Sequence, residues 1–285
     1  RRIYNKGIKL LCDYFKFSKT NLVTALDLSF TLVPVINASG RLDDASFVVS
    51  LFNGNESKEI VDELIRINEK RKSLTNEAFE LVKLDYNEKI YVCFIDNISE
   101  GLLGIISGKI LNSTKKPTFV FTKTNDLIKG SGRSLENFDL HENIKNMDLD
   151  FNSFGGHKRA VGLSFTSMEE FNKFKKLVQN FYVPNPITYF ITFNYSFYDA
   201  YKTISSLEPI GEGIKIPYFY INGNICDIRI INEKHTSFRM LVNGKMERFI
   251  YYNCVLEAGN YDLLFELKKN DYGIQAQVYK AQLKE

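Results

Sequence analysis

The chain of 285 residues contains no tryptophan, only three histidines and six prolines, and its formal net charge is only +3. A charge this close to neutral excludes a protein that attracts polyanions over its whole surface, so any nucleic-acid contact has to come from local groups of basic residues. No run of apolar residues approaches the roughly 18 that a membrane span needs, and the N-terminal segment has no signal-peptide cleavage pattern. We therefore expect a cytoplasmic protein without membrane contact.

Cysteine is scarce and dispersed. Cys12, Cys93, Cys226 and Cys254 lie far apart, and the sequence has neither a Cys-x-x-Cys motif nor a nearby pair of histidines. This spacing excludes a zinc finger and a disulfide framework. We expect four reduced thiols and no metal ligands in this chain.

The composition indicates a folded protein, because 44% of the residues are hydrophobic and 25% charged, and the length of 285 residues indicates at least two domains. A first helix is predicted over residues 4–16. A long amphipathic helix is predicted from Glu56 to Leu84, capped by Asn55 or Ser57. Its apolar seam follows alternating steps of four and three residues and is broken only by Arg71.

Between these helices and residue 183, strands alternate with helices. The strands are predicted at 89–95, 117–122 and 160–165, and the helices at 101–112, 139–147 and 167–180. The order strand, helix, strand predicts a small α/β layer with parallel pairing. Beyond the linker VPNP at 183–186, short alternating aromatic segments separated by Asn-Gly and Ala-Gly turns predict a small antiparallel barrel.

Three polar clusters have a composition suited to phosphate. They are Ser39-Gly40-Arg41, the segment KGSGRS at 129–134, and Gly155-Gly156-His157. Small residues expose backbone N–H donors, and the arginine fork matches phosphate oxygens. Each cluster alone is more often an ordinary turn or a structural histidine than a phosphate site. A P-loop is excluded, because no Gly-x-x-x-x-Gly-Lys-Ser/Thr motif is present.

Taken in order, VINASGRLDDAS, SEGLLGIISGKI, KGSGRS and FGGHKRAVGL resemble the C-terminal part of RecJ, the single-strand-specific 5′-to-3′ DNA exonuclease family of the DHH/DHHA1 phosphoesterases. The segment LEPIGEGIKIPYF at 207–219 resembles the opening of the RecJ OB-fold. The resemblance implies an α/β DHHA1-type domain joined by a long helix to the remnant of a DHH domain, followed by an all-β OB-fold barrel. The implied bounds are 1–54 for the end of the DHH domain, 55–85 for the connecting helix, 86–183 for DHHA1 and 184–285 for the OB-fold.

The sequence departs from the family in two places. It contains no Asp-His-His signature, and Ile98-Ser99-Glu100 stands where the family has an aromatic residue, His and Pro. We interpret Asp43-Asp44 as a solvated turn rather than a metal pair. The resemblance therefore implies that two Mn²⁺ or Mg²⁺ ions are held by a DHH domain absent from this chain, on the same precursor or on a separate polypeptide.

The resemblance also implies roles for individual residues. Arg41, Ser131 and Arg133 would grip the 5′-terminal phosphate of single-stranded DNA, with Gly132 and Ser134 beside them. His157 would be catalytic, contacting a phosphate near the scissile bond, with the backbone of Gly155 and Gly156 next to it.

The barrel would add strand binding, because OB-folds stack bases on aromatic rings and follow the backbone with basic residues. The aromatic candidates are Tyr218, Tyr220, Phe238, Phe249, Tyr251 and Tyr252, and the basic candidates are Arg229, Lys234, Arg239 and Arg248. Strand alternation buries half of the aromatic residues, so core packing is the better explanation for any one of them, and a solvated face explains each basic residue equally well.

Three functions stay open from the sequence. The first is the substrate-binding portion of a RecJ-like nuclease, inert without the DHH domain. The second is a non-catalytic scaffold that binds single-stranded nucleic acid in a replication or repair assembly. The third is a phosphodiesterase of very short RNAs or cyclic dinucleotides, which the trailing barrel disfavours. A single-strand-binding protein or a helicase is the protein partner that the resemblance implies.

Overall fold

The structure is a computed structural model that describes residues 5–17, 23–42, 44–54, 57–185, 189–210, 216–270 and 273–284. Its contacts divide the chain into two compact units, Arg1–Val23 with Asp27–Ile187, and Thr24–Leu26 with Thr188–Glu285. The helices are α1 (Lys6–Tyr14), α2 (Ala25–Asp27), α3 (Val33–Leu42), α4 (Ser46–Phe52), α5 (Lys58–Glu80), α6 (Glu100–Thr114), α7 (Leu140–Lys145), α8 (Met168–Leu177) and α9 (Phe197–Ser206). The strands are β1 (Tyr91–Phe94), β2 (Thr118–Thr124), β3 (Leu127–Arg133), β4 (Ser153–His157), β5 (Ala160–Phe165), β6 (Phe190–Thr192), β7 (Tyr218–Ile231), β8 (His235–Val242), β9 (Lys245–Tyr251), β10 (Gly259–Asn270) and β11 (Gly273–Leu283).

The long helix α5 confirms the amphipathic pattern. Ser57 caps it, because its Oγ accepts a hydrogen bond from the backbone N–H of Ile60 at 3.2 Å; the alternative cap, Asn55, lies outside the described residues. Leu64 and Ile67 of the apolar seam are buried. The helix ends at Glu80 rather than Leu84.

The first unit contains a five-stranded sheet in the order β1-β2-β3-β5-β4. β1 and β2 are parallel and joined through α6, as the strand-helix-strand order predicts. The pairs β2–β3, β3–β5 and β5–β4 are antiparallel. The parallel prediction therefore holds only for the first pair, because tight turns join β2 to β3 and β4 to β5 and make these pairs antiparallel.

Helices cover the two faces of this sheet unequally. On one face, Phe171 and Phe174 of α8 and Leu140 of α7 pack against Phe121 and Phe165 of the strands. On the other face, Leu102 and Ile106 of α6 pack against Tyr91 of β1 and Val120 of β2. α6 contacts β2 and β3, so the β5–β4 side of its face stays uncovered by this helix.

Two segments that sequence reasoning treated as loops are regular structure. Residues 33–42 form helix α3, in which Val35, Ala38 and Ser39 are buried at helical spacing. Residues 127–133 form strand β3, although glycine usually weakens strands. The glycines are required here: a Cβ on Gly130 would lie 2.2 Å from the ring of Phe121, and one on Gly132 would lie 2.4 Å from Phe119.

The second unit is a closed barrel in which β7, β8, β9, β11 and β10 follow one another and β10 pairs back with β7. Four of these pairings are antiparallel, as predicted, and β9–β11 is parallel. The barrel core includes Phe238, Phe249, Leu263 and Phe265. β6 adds to the outside of β7 as a short edge strand. None of the described helices has the length and apolar character that a membrane crossing requires.

Candidate nucleic-acid interface

Arg41 lies in the last turn of α3, where this helix meets the first turn of α6. Its Nη1 donates to the carbonyl of Gly101 at 3.0 Å, and its own carbonyl accepts from Ser99 Oγ at 3.1 Å. Gly101 permits this approach, since a Cβ there would lie 2.3 Å from the carbonyl oxygen of Arg41. These contacts join α3 to α6 and hold the guanidinium of Arg41 at the α6 N-terminus, the positive end of the helix dipole.

The strand register places the remaining cluster residues on the face of the sheet that α6 covers only in part. Two rows of Cα partners cross β3, β5 and β4 on this face: Ser131, Gly162 and Gly155, and then Arg133, Ala160 and His157. Two inter-strand spacings, about 10 Å, therefore separate the backbones of Arg133 and His157. Residues that are 24 positions apart in the sequence thus share one surface.

An open cleft of about 630 Å³ lies between the first turn of α6 and strands β3, β5 and β4. Gly155 and Gly162 form part of its floor, and a Cβ added to either would meet nothing within 4 Å. A floor without side chains lets an extended ligand approach the strands closely. Glu100 and Lys129 also line the cleft and form an ion pair at 2.5 Å.

Arg133 extends its side chain from β3 toward α6. Its Nη1 donates to Ser131 Oγ at 2.9 Å and to the carbonyl of Gly132 at 2.8 Å. Its Nη2 lies only 2.4 Å from where a Cβ on Gly104 would be. Burial, and next the positive charge of Arg41, hold the pKa of Arg133 below its usual value. The two guanidiniums are therefore close enough to repel each other, an arrangement that an anion between them would stabilise.

His157 ends β4 and is exposed. The two-residue turn that follows it is fixed by the rest of the domain, because the carbonyl of Lys158 accepts from the backbone N–H of Leu140 at 2.8 Å and that of Arg159 from Ser134 at 3.0 Å. The imidazole therefore stands on an anchored hairpin on the same face as Arg133. This is the geometry that a ligand spanning β3 to β4 requires.

Three of the predicted residues also have roles in the fold. Gly132 points to the opposite face, against Phe119. Ser134 is buried, and its Oγ donates to the carbonyl of Phe138 at 2.9 Å. Gly156 has φ +138°, and a Cβ there would lie 2.3 Å from the carbonyl oxygen of Ala160. Only the first glycine of the pair, Gly155, opens space for a ligand; the second is required by the backbone.

Arg71 was not recognised as a site residue from the sequence. It lies on α5 and is half-buried, and burial together with the positive charge of Arg41 lowers its pKa. The sequence does set this residue apart, because Arg71 is the position at which the apolar seam of α5 is broken. Asp44, in the turn after α3, accepts hydrogen bonds from the N–H and Oγ of Ser46 at 2.9 and 2.6 Å, while Asp43 lies outside the described residues.

The barrel separates the predicted aromatic residues into two groups. Phe238 and Phe249 are buried in its core with rings stacked at 5.3 Å, which is the core packing that strand alternation predicts for part of this set. Tyr220 is partly exposed, and the ring of Phe190, which sequence reasoning missed, lies 5.5 Å from it. Both belong to the outward side of the β6–β7 pair.

Two of the four basic candidates meet on the second and third strands of the barrel, whereas Arg229 lies on β7 and Lys234 precedes β8. Arg239 of β8 and Arg248 of β9 are direct cross-strand partners, and both are exposed. Like charges in this position destabilise a strand pair, and the Nη1 of Arg239 lies 3.7 Å from Asp227. The outer face of the second and third strands is the surface with which OB-folds bind oligonucleotides.

The sheet domain and the closed barrel define the class of protein. Residues 87–183 match the family model of the DHHA1 domain, and residues 189–280 match that of the RecJ OB domain. The chain is thus a DHHA1 domain followed by an OB-fold of the RecJ type.

Relatives agree with this assignment. The chain is 31% identical over 193 residues to the single-stranded-DNA-specific exonuclease RecJ of Escherichia coli (strain K12), a match covering 61% of the chain and 32% of the relative. It is 27% identical over 249 residues to the protein of the same name from Thermus thermophilus, covering 82% and 36%. The chain is RecJ-like, and it spans only about a third of the length of these relatives.

Solved structures show the same fold. The crystal structure of RecJ in complex with Mn²⁺ from Thermus thermophilus superposes with a TM-score of 0.81 at 24% identity, covering 98% of this chain and 44% of that one. A crystal structure of exonuclease RecJ bound to manganese gives 0.51 at 28% identity over 61% and 44%. Among the described residues of this chain, no group of three or more His, Cys, Asp or Glu side chains could hold a metal ion, so the residues present do not fit a dinuclear site.

Proposed function

We propose that this chain is the substrate-binding portion of a RecJ-like 5′-to-3′ exonuclease of single-stranded DNA. Arg41, Ser131 and Arg133 bind the 5′-terminal phosphate, and His157 contacts a phosphate near the bond to be cleaved. The observation that carries the proposal is the common surface: Arg133, Ser131, Gly155 and His157 share one open sheet face, and Arg41 lies at the end of the helix that borders it.

In this proposal the chain binds and orients the DNA strand. The arginine forks match the oxygens of a terminal phosphate and fix the position of the strand end. From there the strand crosses the glycine floor toward His157, about 10 Å away, a length comparable to one or two nucleotide spacings. The barrel holds a further stretch through the outer face of β8 and β9. Hydrolysis needs two divalent ions, which activate water for attack on the phosphodiester and which we assign to a DHH domain outside this chain.

The test combines the chain with a DHH-containing polypeptide and Mn²⁺ and follows degradation of 5′-phosphorylated single-stranded DNA. We expect degradation from the 5′ end, inactivity of the chain alone, and a loss of about 10- to 100-fold with Arg133→Ala, the value of a charge-assisted hydrogen-bond pair. Arg66→Ala is the matched control, because Arg66 is an exposed residue that pairs with Glu63 at 2.6 Å on α5.

If Arg133→Ala keeps the wild-type activity, the proposed phosphate clamp is wrong. Strand binding that ignores the 5′-phosphate, with no hydrolysis under any metal, would favour the non-catalytic scaffold instead.

A further inference from the structure

The glycine floor of the cleft has chemically different residues on its two sides. The register of β3, β5 and β4 places three parallel rows on the same face of the sheet. The middle row contains the floor glycines, Gly162 and Gly155, and the row on one side contains Arg133 and His157. The row on the other side, which we call the polar row, consists of Lys129, Ser164 and Ser153. Two residues along each strand, about 7 Å, separate the polar row from the glycines.

Glu100 joins the polar row from the first turn of α6. Its Oε2 accepts a hydrogen bond from Nζ of Lys129, and both side chains line the cleft. They are 52% and 35% exposed, so a ligand can reach them. Among the described residues, none donates to the second oxygen, Oε1, and Lys129 has two further N–H donors. The ion pair therefore presents an acceptor and a donor side by side, while its two charges largely cancel.

The two serines continue the polar row with hydroxyl groups. Ser153 Oγ and Ser164 Oγ are 2.7 Å apart and share a hydrogen bond, and Ser164 Oγ also accepts from Nδ2 of Asn152 at 3.1 Å. Ser164 is buried and Ser153 is exposed. A hydroxyl group both donates and accepts, whereas a phosphate diester only accepts. The mixed donors and acceptors of the polar row therefore suit the hydroxyl groups of a ligand, and the row of Arg133 and His157 suits its phosphates.

The glycine floor has room for an additional oxygen atom on the sugar of a bound strand. A Cβ added to Gly155 or Gly162 would meet nothing within 4 Å. The 2′-hydroxyl, which both donates and accepts, is the group by which a protein distinguishes RNA from DNA. A strand that crosses the floor with its phosphates toward Arg133 and His157 has its sugars on the side of the polar row.

We propose that Glu100 and the polar row bind the 2′-hydroxyl of a ribonucleotide, so that the cleft accepts strands with ribonucleotides near the 5′ end as well as DNA. The inference rests on the proposed function, because it requires a strand across the glycine floor. The 2′-hydroxyl donates to Glu100 Oε1 and accepts from Lys129 Nζ. A deoxyribose leaves both groups to water, so a ribose gains a charge-assisted hydrogen bond at this place.

The experiment measures binding of the 285-residue chain to 5′-phosphorylated oligodeoxynucleotides of one sequence, labelled at the 3′ end. Each strand carries a single ribose, placed in turn at each of the first few nucleotides. We expect a ribose at one or two of these positions to raise the affinity roughly 3- to 10-fold over the all-DNA strand. A 2′-fluoro sugar, which has a ribose-like pucker and cannot donate, should bind like deoxyribose.

Variants of Glu100 test the assignment to this residue. Glu100→Ala should lose the gain from ribose and bind the all-DNA strand more tightly, because Lys129 is then free for a phosphate. Glu100→Gln, whose amide oxygen still accepts, should keep part of the gain. Glu69→Ala is the matched control, because Glu69 is an exposed carboxylate that pairs with Lys72 at 2.8 Å on α5. Thermal unfolding identifies variants that no longer fold, and Glu100→Gln retains the test if Glu100→Ala is among them.

The outcomes separate the two proposals. A wild type that binds none of the strands overturns the proposed function and this inference with it. A wild type that binds the all-DNA strand and gains nothing from ribose overturns only the inference. A gain that persists in Glu100→Ala, or that 2′-fluoro reproduces, also overturns it, because Glu100 would then not be the acceptor. An equal gain at every position does so too, since a fixed subsite acts on one or two nucleotides.

Discussion

Replacing Gly104 by alanine places one methyl group where the guanidinium of Arg133 now rests. The added Cβ would lie 2.4 Å from Nη2, 3.2 Å from Cζ and 3.3 Å from Ser131 Oγ. Ordinary contacts begin at 3.4 Å, so the guanidinium has to move by about 1 Å. The side chain is flexible at this end, and we expect it to leave the clamp rather than distort α6.

The stability of this variant should stay nearly unchanged, while its binding of the phosphorylated strand weakens. Alanine is better than glycine in a helix interior by about 1 kcal/mol, and the loss of the Arg133 to Ser131 hydrogen bond costs about 0.5–1.5 kcal/mol. The free energy of unfolding therefore stays near the wild-type value. Displacing one arginine from the phosphate removes about 1.5–3 kcal/mol of charge-assisted hydrogen bonding, which corresponds to roughly 10- to 100-fold in affinity for the 5′-phosphorylated strand.

Gly108 provides the matched control on the same helix, because a Cβ there meets nothing within 4 Å. Gly108→Ala should gain stability of about 1 kcal/mol and keep the preference for a 5′-phosphate. Urea unfolding and anisotropy titrations with the phosphorylated and hydroxyl strands measure both quantities. If Gly104→Ala binds the phosphorylated strand as tightly as Gly108→Ala does, Arg133 does not act where we place it.

Three further predictions test neighbouring parts of the structure. Gly156→Ala should lower the free energy of unfolding by at least about 1–3 kcal/mol, because the φ of Gly156 is +138°. Gly155→Ala should change the free energy of unfolding by less than about 0.5 kcal/mol and weaken strand binding. Equal destabilisation of the two variants in urea would contradict these different roles of the two glycines. Glu100→Gln should release Lys129 to a phosphate and steepen the slope of log Kd against log salt by about 0.7; an unchanged slope means that the ion pair is not in the path of the strand. Burial raises the pKa of Cys93 to about 11. At pH 8, iodoacetamide should therefore modify the exposed Cys226 well before Cys93, as followed by mass spectrometry. The reverse order of modification would place β1 at the surface.

The sequence predicts helices and strands correctly where the spacing of the apolar residues is regular. The seam of α5 and the aromatic alternation of the barrel strands are regular, and both elements exist. Periodicity fails at residues 127–133, because Gly130 and Gly132 occupy the core-facing positions of β3, where Phe121 and Phe119 fill the space that side chains would take. The large residues that complete this core belong to the neighbouring strand, and the pattern of β3 alone does not contain them.

The candidate site could likewise be predicted from the sequence only in part. The types of residue in the three polar clusters point to phosphate, but their facing directions depend on strand register, which assigns Ser131 and Arg133 to the open side and Gly132 to the core. Arg71 was visible only as a break in an apolar seam. Its proximity to the charge of Arg41 comes from the packing of α3 against α5, and no local pattern in the sequence encodes that packing.

In β3, alternate residues of the same strand face the candidate site and the hydrophobic core. A slip of one residue in the pairing of β3 would turn Ser131 and Arg133 toward the phenylalanine rings and expose the glycines, since side chains alternate between faces. The rings of Phe119 and Phe121 oppose such a slip, because only glycine fits beneath them. The packing on one side of the sheet thereby fixes the direction of the arginine on the other side.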